Sequence, residues 1–266
     1  KKEELLISTE LLGSGAFAKV YKGRLQRAVA VKCFSKISQQ DQLDSFALEV
    51  NILSRMNHPG IARFLGMQTE LPNMHIVLEL VLGPSIETIT HRRTKGVGGV
   101  DIASILSICL QVSEAMSYVH QRNVIHRDLK PSNILISETD GAVKLIDFGL
   151  AVFVKGDALT KANAVAGTPV YLAPEVLREE AFSNSIDVYS FSIVLWEMLA
   201  CQLPWFGLDL QGMVLAVVHR HERPAVPKTV PPQIQQLLHE CWLPDPSKRP
   251  SFRYVCVRVC VCVCVC

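Results

Sequence analysis

Two stretches near the start of the chain have the residue types and spacing to hold phosphate. Gly13-Ser14-Gly15-Ala16-Phe17-Ala18-Lys19-Val20 sets two glycines one residue apart. Lacking Cβ atoms, they let the backbone approach anionic oxygens closely. Such a loop also suits a hairpin turn, or a dinucleotide site in which a helix N-terminus follows and holds a pyrophosphate. Here Val20-Tyr21-Lys22 continues as a strand with no helix-start signal, which favours a loop lying over phosphates. The second stretch is Val29-Ala30-Val31-Lys32. Residues two apart share a strand face. Ala30 is small enough to lie against a base, and the Lys32 ammonium reaches phosphate oxygens. Glu49 stands one helical turn from Phe46 and Leu53, close to a buried face. A carboxylate there needs a cation, because an unpaired buried charge is costly. Lys32 is its natural partner.

The strongest signal is His126-Arg127-Asp128-Leu129-Lys130-Pro131-Ser132-Asn133, followed by Asp147-Phe148-Gly149 and Ala173-Pro174-Glu175. In content and spacing these resemble the catalytic loop, metal-binding motif and activation-segment end of protein kinases. The resemblance covers roughly residues 7–252, with Ala18 standing where the family's glycine loop carries its third glycine. It implies an α+β, two-lobed fold and the use of ATP and Mg²⁺ on protein substrates. Phosphoryl transfer needs positioning and cations more than covalent work from the protein. By resemblance, Asp128 orients the substrate hydroxyl and accepts its proton, Lys130 neutralises the transferred group, and Lys32 with Glu49 completes the catalytic set. Asn133 and Asp147 supply hard oxygen ligands to the metal. Gly13, Gly15, Val20, Ala30, Lys32, Glu79, Val81 and Leu135 form the nucleotide site.

The same resemblance assigns further positions. Leu78 guards the pocket behind the adenine, and Glu79 to Val81 form the hinge. Leu53, Phe64, His126 and Phe148 look like the stacked apolar column of active kinases, a role that ordinary core packing would also explain. Glu175 and Arg249 resemble a buried ion pair, and Asp187 a brace for the catalytic loop. Leu129-Lys130-Pro131-Ser132 and Gly167-Thr168-Pro169-Val170-Tyr171 resemble the serine/threonine pattern. Asp187-Val188-Tyr189-Ser190-Phe191, Leu195-Trp196-Glu197 and Cys241-Trp242 resemble the tyrosine-kinase-like group. Ser192 departs from it, since relatives usually carry glycine there. Thr160 is the lone hydroxyl between Gly149 and Gly167, and it reads as a phosphorylation switch facing Arg127 and Lys155. An upstream kinase or autophosphorylation would act on it. The rival readings are an ATP-binding scaffold without turnover and a truncated product that folds poorly.

The elements that must position these residues follow from periodicity. Residues 5–35 alternate like strands, and residues 41–56 repeat apolar positions at helical steps. Ile61–Gly66 and His75–Val81 read as strands, and 102–120 as a helix. Short strands near Ile134–Ile136 and Val143–Ile146 flank a turn at Asp140-Gly141, and helical patterns dominate from Asp187 onward. The expected division is a small β-rich lobe to about residue 80, a hinge over 79–84 and a mainly helical lobe over 85–252.

Composition narrows the partners. The 266 residues are 49% hydrophobic and 20% charged, with a formal net charge of +2. No strongly basic field points to nucleic acid or anionic lipid. The longest apolar run, from about Ser192 to Trp205, contains Glu197 and Pro204 and is too short to span a membrane. The opening Lys1-Lys2-Glu3-Glu4 lacks the order of a signal peptide, and scattered Cys33, Cys109, Cys201 and Cys241 suggest reduced thiols. A cytoplasmic location is therefore expected. From Val255 the chain alternates valine and cysteine, broken by Arg258, to Cys266. A GT dinucleotide repeat encodes Val-Cys in frame. Residues 253–266 are accordingly expected to be a low-complexity tail outside the fold, with strand character if anything.

Overall fold

The computed structural model describes residues 6–14, 18–25, 27–34, 40–70, 73–94, 101–154 and 166–265. Gly15, Lys155 and Thr160 lie outside the described residues.

The first part of the chain is a sheet with one helix. Strands β1 (Leu6–Ser14), β2 (Lys19–Leu25) and β3 (Arg27–Phe34) precede α1 (Gln40–Leu53). Then come β4 (Phe64–Gln68) and β5 (Met74–Glu79). The five strands pair antiparallel in the order β1-β2-β3-β5-β4. Val20 faces Lys32, and Ala30 faces Leu78. Directly opposed residues share a face, so Val20, Ala30, Lys32 and Leu78 lie on one side of the sheet. On α1, Phe46, Glu49, Ile52 and Leu53 are buried. Phe46 meets Phe34 edge to face, with ring centroids 5.2 Å apart.

The turn after α1 is tied to the second lobe. Asn57 N–H donates to the Tyr118 hydroxyl at 2.7 Å. Ala62 N–H donates to Leu145 O at 2.9 Å, and Leu145 N–H to Gly60 O at 2.8 Å. These bonds satisfy backbone groups that would otherwise be stranded where the lobes meet.

The second lobe is mainly helical. α2 (Ile86–Thr94) and α3 (Ile102–Gln121) lead to β6 (Val124–Ile125), β7 (Ile134–Ile136), β8 (Val143–Leu145) and β9 (Val152–Phe153). Then follow α4 (Pro174–Leu177), α5 (Ser185–Ala200), α6 (Leu210–Val214), α7 (Pro232–Cys241) and α8 (Phe252–Val265). Asp101 caps α3, accepting from Ser104 N–H at 2.8 Å. α3 is long and apolar enough by composition to cross a membrane. In this fold it is a core helix, burying Ile105, Leu106, Val112, Met116 and Val119 and packing along α8. α5 is apolar almost all round and is buried from Ser185 to Met198, as such a helix must be. Ser192 fits this crowded site because its hydroxyl donates to Tyr189 O at 2.6 Å.

The fold departs from the sequence reading at its end. Residues 253–266 were expected outside the fold, yet α8 runs from Phe252 to Val265 and packs on α3 and α7. Phe252, Val255, Val259 and Cys262 are buried at three- and four-residue steps. A strict two-residue apolar alternation places apolar side chains on every side of a helix, so α8 always has some to bury. Tertiary packing then overrides the strand preference of valine. Phe252 anchors the start, with its ring 5.0 Å from His120 and 5.5 Å from Phe191.

Candidate active site

Asp128 sits between β6 and a short 3₁₀ turn, Pro131–Asn133. The loop is held from below by the fully buried Asp187 of α5. Its two oxygens accept the backbone N–H of His126 at 2.8 Å and of Arg127 at 2.9 Å. His120 Nε2 makes a third contact at 2.8 Å. Burial alone would raise the Asp187 pKa. The hydrogen bonds and the His120 contact outweigh it and hold the carboxyl below its ordinary value. Arg127 takes a left-handed backbone conformation, φ +68°, so local strain is stored where the loop is gripped.

Four polar groups converge on the Asp128 carboxylate. Thr168 donates its N–H at 3.0 Å and its hydroxyl at 2.9 Å to Oδ1. Lys130 Nζ lies 2.7 Å from Oδ2, and Asn133 Nδ2 donates to the same oxygen at 3.2 Å. Lys130 also donates to the Thr168 hydroxyl at 2.9 Å. Gly167 supplies the turn that brings Thr168 in. Its φ is +117°, and a Cβ there would stand 2.8 Å from Arg127 O.

Lys32 reaches across from the sheet. Its ammonium lies 2.6 Å from Glu49 and 3.0 Å from Asp147 Oδ1, so one cation joins α1 to the second lobe. Burial pulls the Lys32 pKa down, but the two carboxylates outweigh it and the net shift is upward. Burial pulls the Asp147 carboxyl up, and the Lys32 charge together with the hydrogen bonds from Lys32 and Gly149 outweighs it, so the net shift is downward. Asp147 Oδ1 also accepts from Gly149 N–H at 3.1 Å. The Asp147 side chain remains 43% exposed, open to the cleft. Asn133 is brought alongside by the bond from Ile146 N–H to Asn133 O, 3.1 Å. His126 and Phe148 pack beneath with tilted rings, centroids 4.8 Å apart, and burial lowers the His126 pKa, favouring neutral imidazole.

The segment between the lobes has its own logic. Leu78 is buried at the end of β5. Glu79 N–H donates to Arg63 O at 2.8 Å, and its carboxylate takes Lys144 of β8 at 3.0 and 3.1 Å. Among the described residues Val81 N–H and C=O bond no other backbone group, which leaves a donor and an acceptor for a planar ligand. Gly83 has φ +149°, and a Cβ there would overlap the Ile136 carbonyl. This lets the segment run along β7, with Ser85 bridged to Leu135. Leu135, Val20 and Ala30 are all half-buried. Gly13 lies at the end of β1, opposite Val20.

Of the residues singled out from the sequence, Asp128, Lys130 and Asn133 are brought into one hydrogen-bonded group. Lys32, Glu49 and Asp147 are brought into another. Glu175 and Arg249 meet as a buried bidentate pair at 2.6 and 2.9 Å. The sequence reading missed three partners. Thr168 was noted only within a platform motif, although it donates to Asp128. His120 lay unmarked on the apolar pattern of α3. Glu197 was read only as a motif letter, yet it is fully buried and accepts the Tyr171 hydroxyl at 2.8 Å. Its other oxygen has no hydrogen-bond partner among the described residues. Burial pushes the Glu197 carboxyl up to about 7 despite the Tyr171 bond, with Glu87 adding to the shift.

Known proteins resemble this chain over most of its length. The chain is 36% identical over 247 residues to the serine/threonine-protein kinase CTR1 of Arabidopsis thaliana, covering 91% of this chain and 30% of that protein. It is 37% identical over 254 residues to the dual specificity protein kinase shkC of Dictyostelium discoideum, covering 92% and 49%. It is 34% identical over 245 residues to the serine/threonine/tyrosine-protein kinase HT1 of Arabidopsis thaliana, covering 90% and 62%. The chain thus spans from about a third to under two thirds of the length of these relatives. Residues 6–259 match the family described as protein tyrosine and serine/threonine kinase, and the chain belongs to that family.

Proposed function

We propose that this domain transfers the γ-phosphoryl group of ATP to serine and threonine hydroxyls of protein substrates. The observation that carries the reading is the convergence on one cleft of two charged groups, Asp128 with Lys130 and Asn133, and Lys32 with Glu49 and Asp147. Asp128 accepts a hydroxyl hydrogen bond from Thr168 at 2.9 Å, the interaction that a substrate hydroxyl would make. Asp128 orients that hydroxyl and takes its proton, and Lys130 offsets the charge on the moving phosphoryl group. Lys32, fixed by Glu49, holds phosphate oxygens. Gly13, Gly15 and Val20 cover the nucleotide, Ala30 and Leu135 flank its base, and the Glu79–Val81 backbone meets the base edge.

The donor set fits Mg²⁺. Asn133 spends its amide N–H groups on Asp128, leaving its oxygen free, and Asp147 Oδ2 accepts no hydrogen bond among the described residues. A hard cation favours such oxygens. When bound, the ion neutralises phosphate charge as it spreads over the transferred group.

The small lobe extends to about residue 80 and the large lobe from 85 onward, joined by the hinge at 79–84. Leu129-Lys130-Pro131-Ser132 and the serine/threonine names of relatives support the choice of acceptor. Thr160 is the proposed switch, phosphorylated in trans or by an upstream kinase. Cys33, Cys109 and Cys241 are free thiols, in keeping with a reducing, cytoplasmic setting. The test is transfer of labelled γ-phosphate from Mg-ATP to a basic protein substrate, followed by phosphoamino-acid analysis. Label on serine and threonine, abolished by Asp128→Ala, is expected. Label unaffected by that substitution, or none with the unaltered domain, overturns the reading.

A further inference from the structure

Tyr189 of α5 is buried, 1% exposed, and two guanidinium groups lie against its ring. The Arg223 carbon is 5.3 Å from the ring centre and that of Arg249 5.2 Å. The Arg249 charge is met by Glu175. Among the described residues Arg223 has no carboxylate partner, since Glu175 is taken and the adjacent Glu222 pairs with Arg220 at 2.6 Å. The backbone fixes where Arg223 points. α6 continues as a π-helical turn, Leu215–His219, and Glu222 N–H then closes back onto Ala216 O at 2.9 Å. The Trp196 indole N–H donates to Ala225 O at 2.9 Å and ties this segment to α5. Arg223 donates from Nε to Trp242 O at 3.0 Å, and from Nη1 to Glu222 O at 2.7 Å and Val217 O at 3.3 Å. Its buried Nη2 bonds nothing among the described residues, and neither does the Tyr189 hydroxyl.

Chemistry selects the occupant. Burial pushes the Tyr189 phenol up to about 12 despite the nearby arginines, so it keeps its proton and remains a donor. Nη2 is donor-only. Two idle donors therefore stand beside a guanidinium charge that no carboxylate balances, and each such group is costly to bury alone. A cation is repelled by Arg223 and Arg249. Water accepts the hydrogen bonds but leaves the charge unbalanced. A small anion meets both needs, because charge-assisted hydrogen bonds are the stronger ones. Enclosure around Tyr189 favours a monatomic ion over a bulky oxyanion.

We infer that Arg223 Nη2 and the Tyr189 hydroxyl hold a monovalent anion of the size of chloride, between α5 and the segment 222–225. The ion joins a group of Glu175, Arg249 and Arg223 in which cations outnumber carboxylates. It stabilises the junction of α4, α5 and that segment, and it takes no part in phosphoryl transfer.

The probe is chloride itself. The unaltered chain is melted in sodium chloride and in sodium gluconate at equal ionic strength, gluconate being too large for an enclosed site. The melting temperature is expected to rise with chloride by about 3 °C or more and to level off as the site fills. Tyr189→Phe keeps the ring and removes one donor. Its chloride response should fall to half or less, while in gluconate it melts no lower than the unaltered chain. Equal melting of the unaltered chain in the two salts overturns the inference. So does a chloride effect of the same size in both chains, which is a general salt effect. Should Tyr189→Phe fail to fold, crystals of the unaltered chain grown in sodium bromide decide. An anomalous peak within hydrogen-bonding distance of Arg223 Nη2 and the Tyr189 hydroxyl supports the site, and a water or no density there refutes it. A bromide peak in a chain whose melting ignores chloride is an adventitious ion only, and it refutes the inference as well.

Discussion

Thr168 donates both its backbone N–H and its hydroxyl to one oxygen of Asp128, at 3.0 and 2.9 Å. Two loops forty residues apart in sequence are therefore set by the same carboxylate. Thr168→Ala keeps the backbone bond and loses the hydroxyl. It is expected to lower kcat about 10- to 100-fold with little change in nucleotide affinity, whereas Thr168→Ser keeps most activity. Asp128→Ala is expected to cost about 10²- to 10⁴-fold in kcat. Steady-state kinetics with nucleotide-binding titrations check both, and near-normal turnover in Asp128→Ala would show that another group takes the proton.

Lys32 is held between Glu49, which is 4% exposed, and Asp147. Lys32→Met strands Glu49 in the interior, and stability is expected to fall by about 3 kcal/mol together with activity. The double variant Lys32→Met/Glu49→Gln should regain much of the stability and none of the activity. Thermal melts and phosphate transfer separate the two roles. Full recovery of activity would remove Lys32 from the chemistry.

Glu197 gives a pH prediction. Its carboxyl is raised from 4.5 to about 7 in the folded chain, so the folded state binds the proton more tightly than the unfolded state. That stabilisation is present below about 4.5 and is lost as pH rises through about 7, up to about 3 kcal/mol in all. Glu197→Gln keeps an acceptor for Tyr171 and cannot ionise. The variant and the unaltered chain should melt alike near pH 5, with the variant the more stable at pH 8. Parallel melting curves across that range would show that Glu197 does not carry the shifted proton.

α8 yields opposite outcomes on its two sides. Val259 is fully buried and Val257 is 59% exposed. Val259→Asp is expected to cost roughly 4 kcal/mol or more, by burying a charge. Val257→Lys should leave the melting temperature unchanged and improve solubility. Equal tolerance of both would mean that residues 253–266 do not pack as described.

Much of this was legible in the chain. The β-rich lobe, α1, α3 and the short strands β7 and β8 followed from periodicity, and motif content pointed to Asp128, Asn133 and Asp147. The end of the chain was misread because an alternating Val-Cys pattern fits a strand by period and a helix by burial. Only the α3 and α7 surfaces decide between them. Thr168 and Glu197 were hard to see for a related reason. Each acts through a partner distant in sequence, Asp128 and Tyr171, and no local pattern encodes such a pairing.

The bonds from Asn57, Gly60 and Ala62 to Tyr118 and Leu145 fix one end of α1 and leave the other unanchored by them. α1 is about 20 Å long, and Glu49 stands four residues from Leu53 and nine from Gln40. A pivot on the anchored turn would therefore displace Glu49, and its contact with Lys32, less than Gln40. Any rotation of α1 about that turn would thus reach the Lys32 ion pair reduced in scale, a fine adjustment rather than a coarse one.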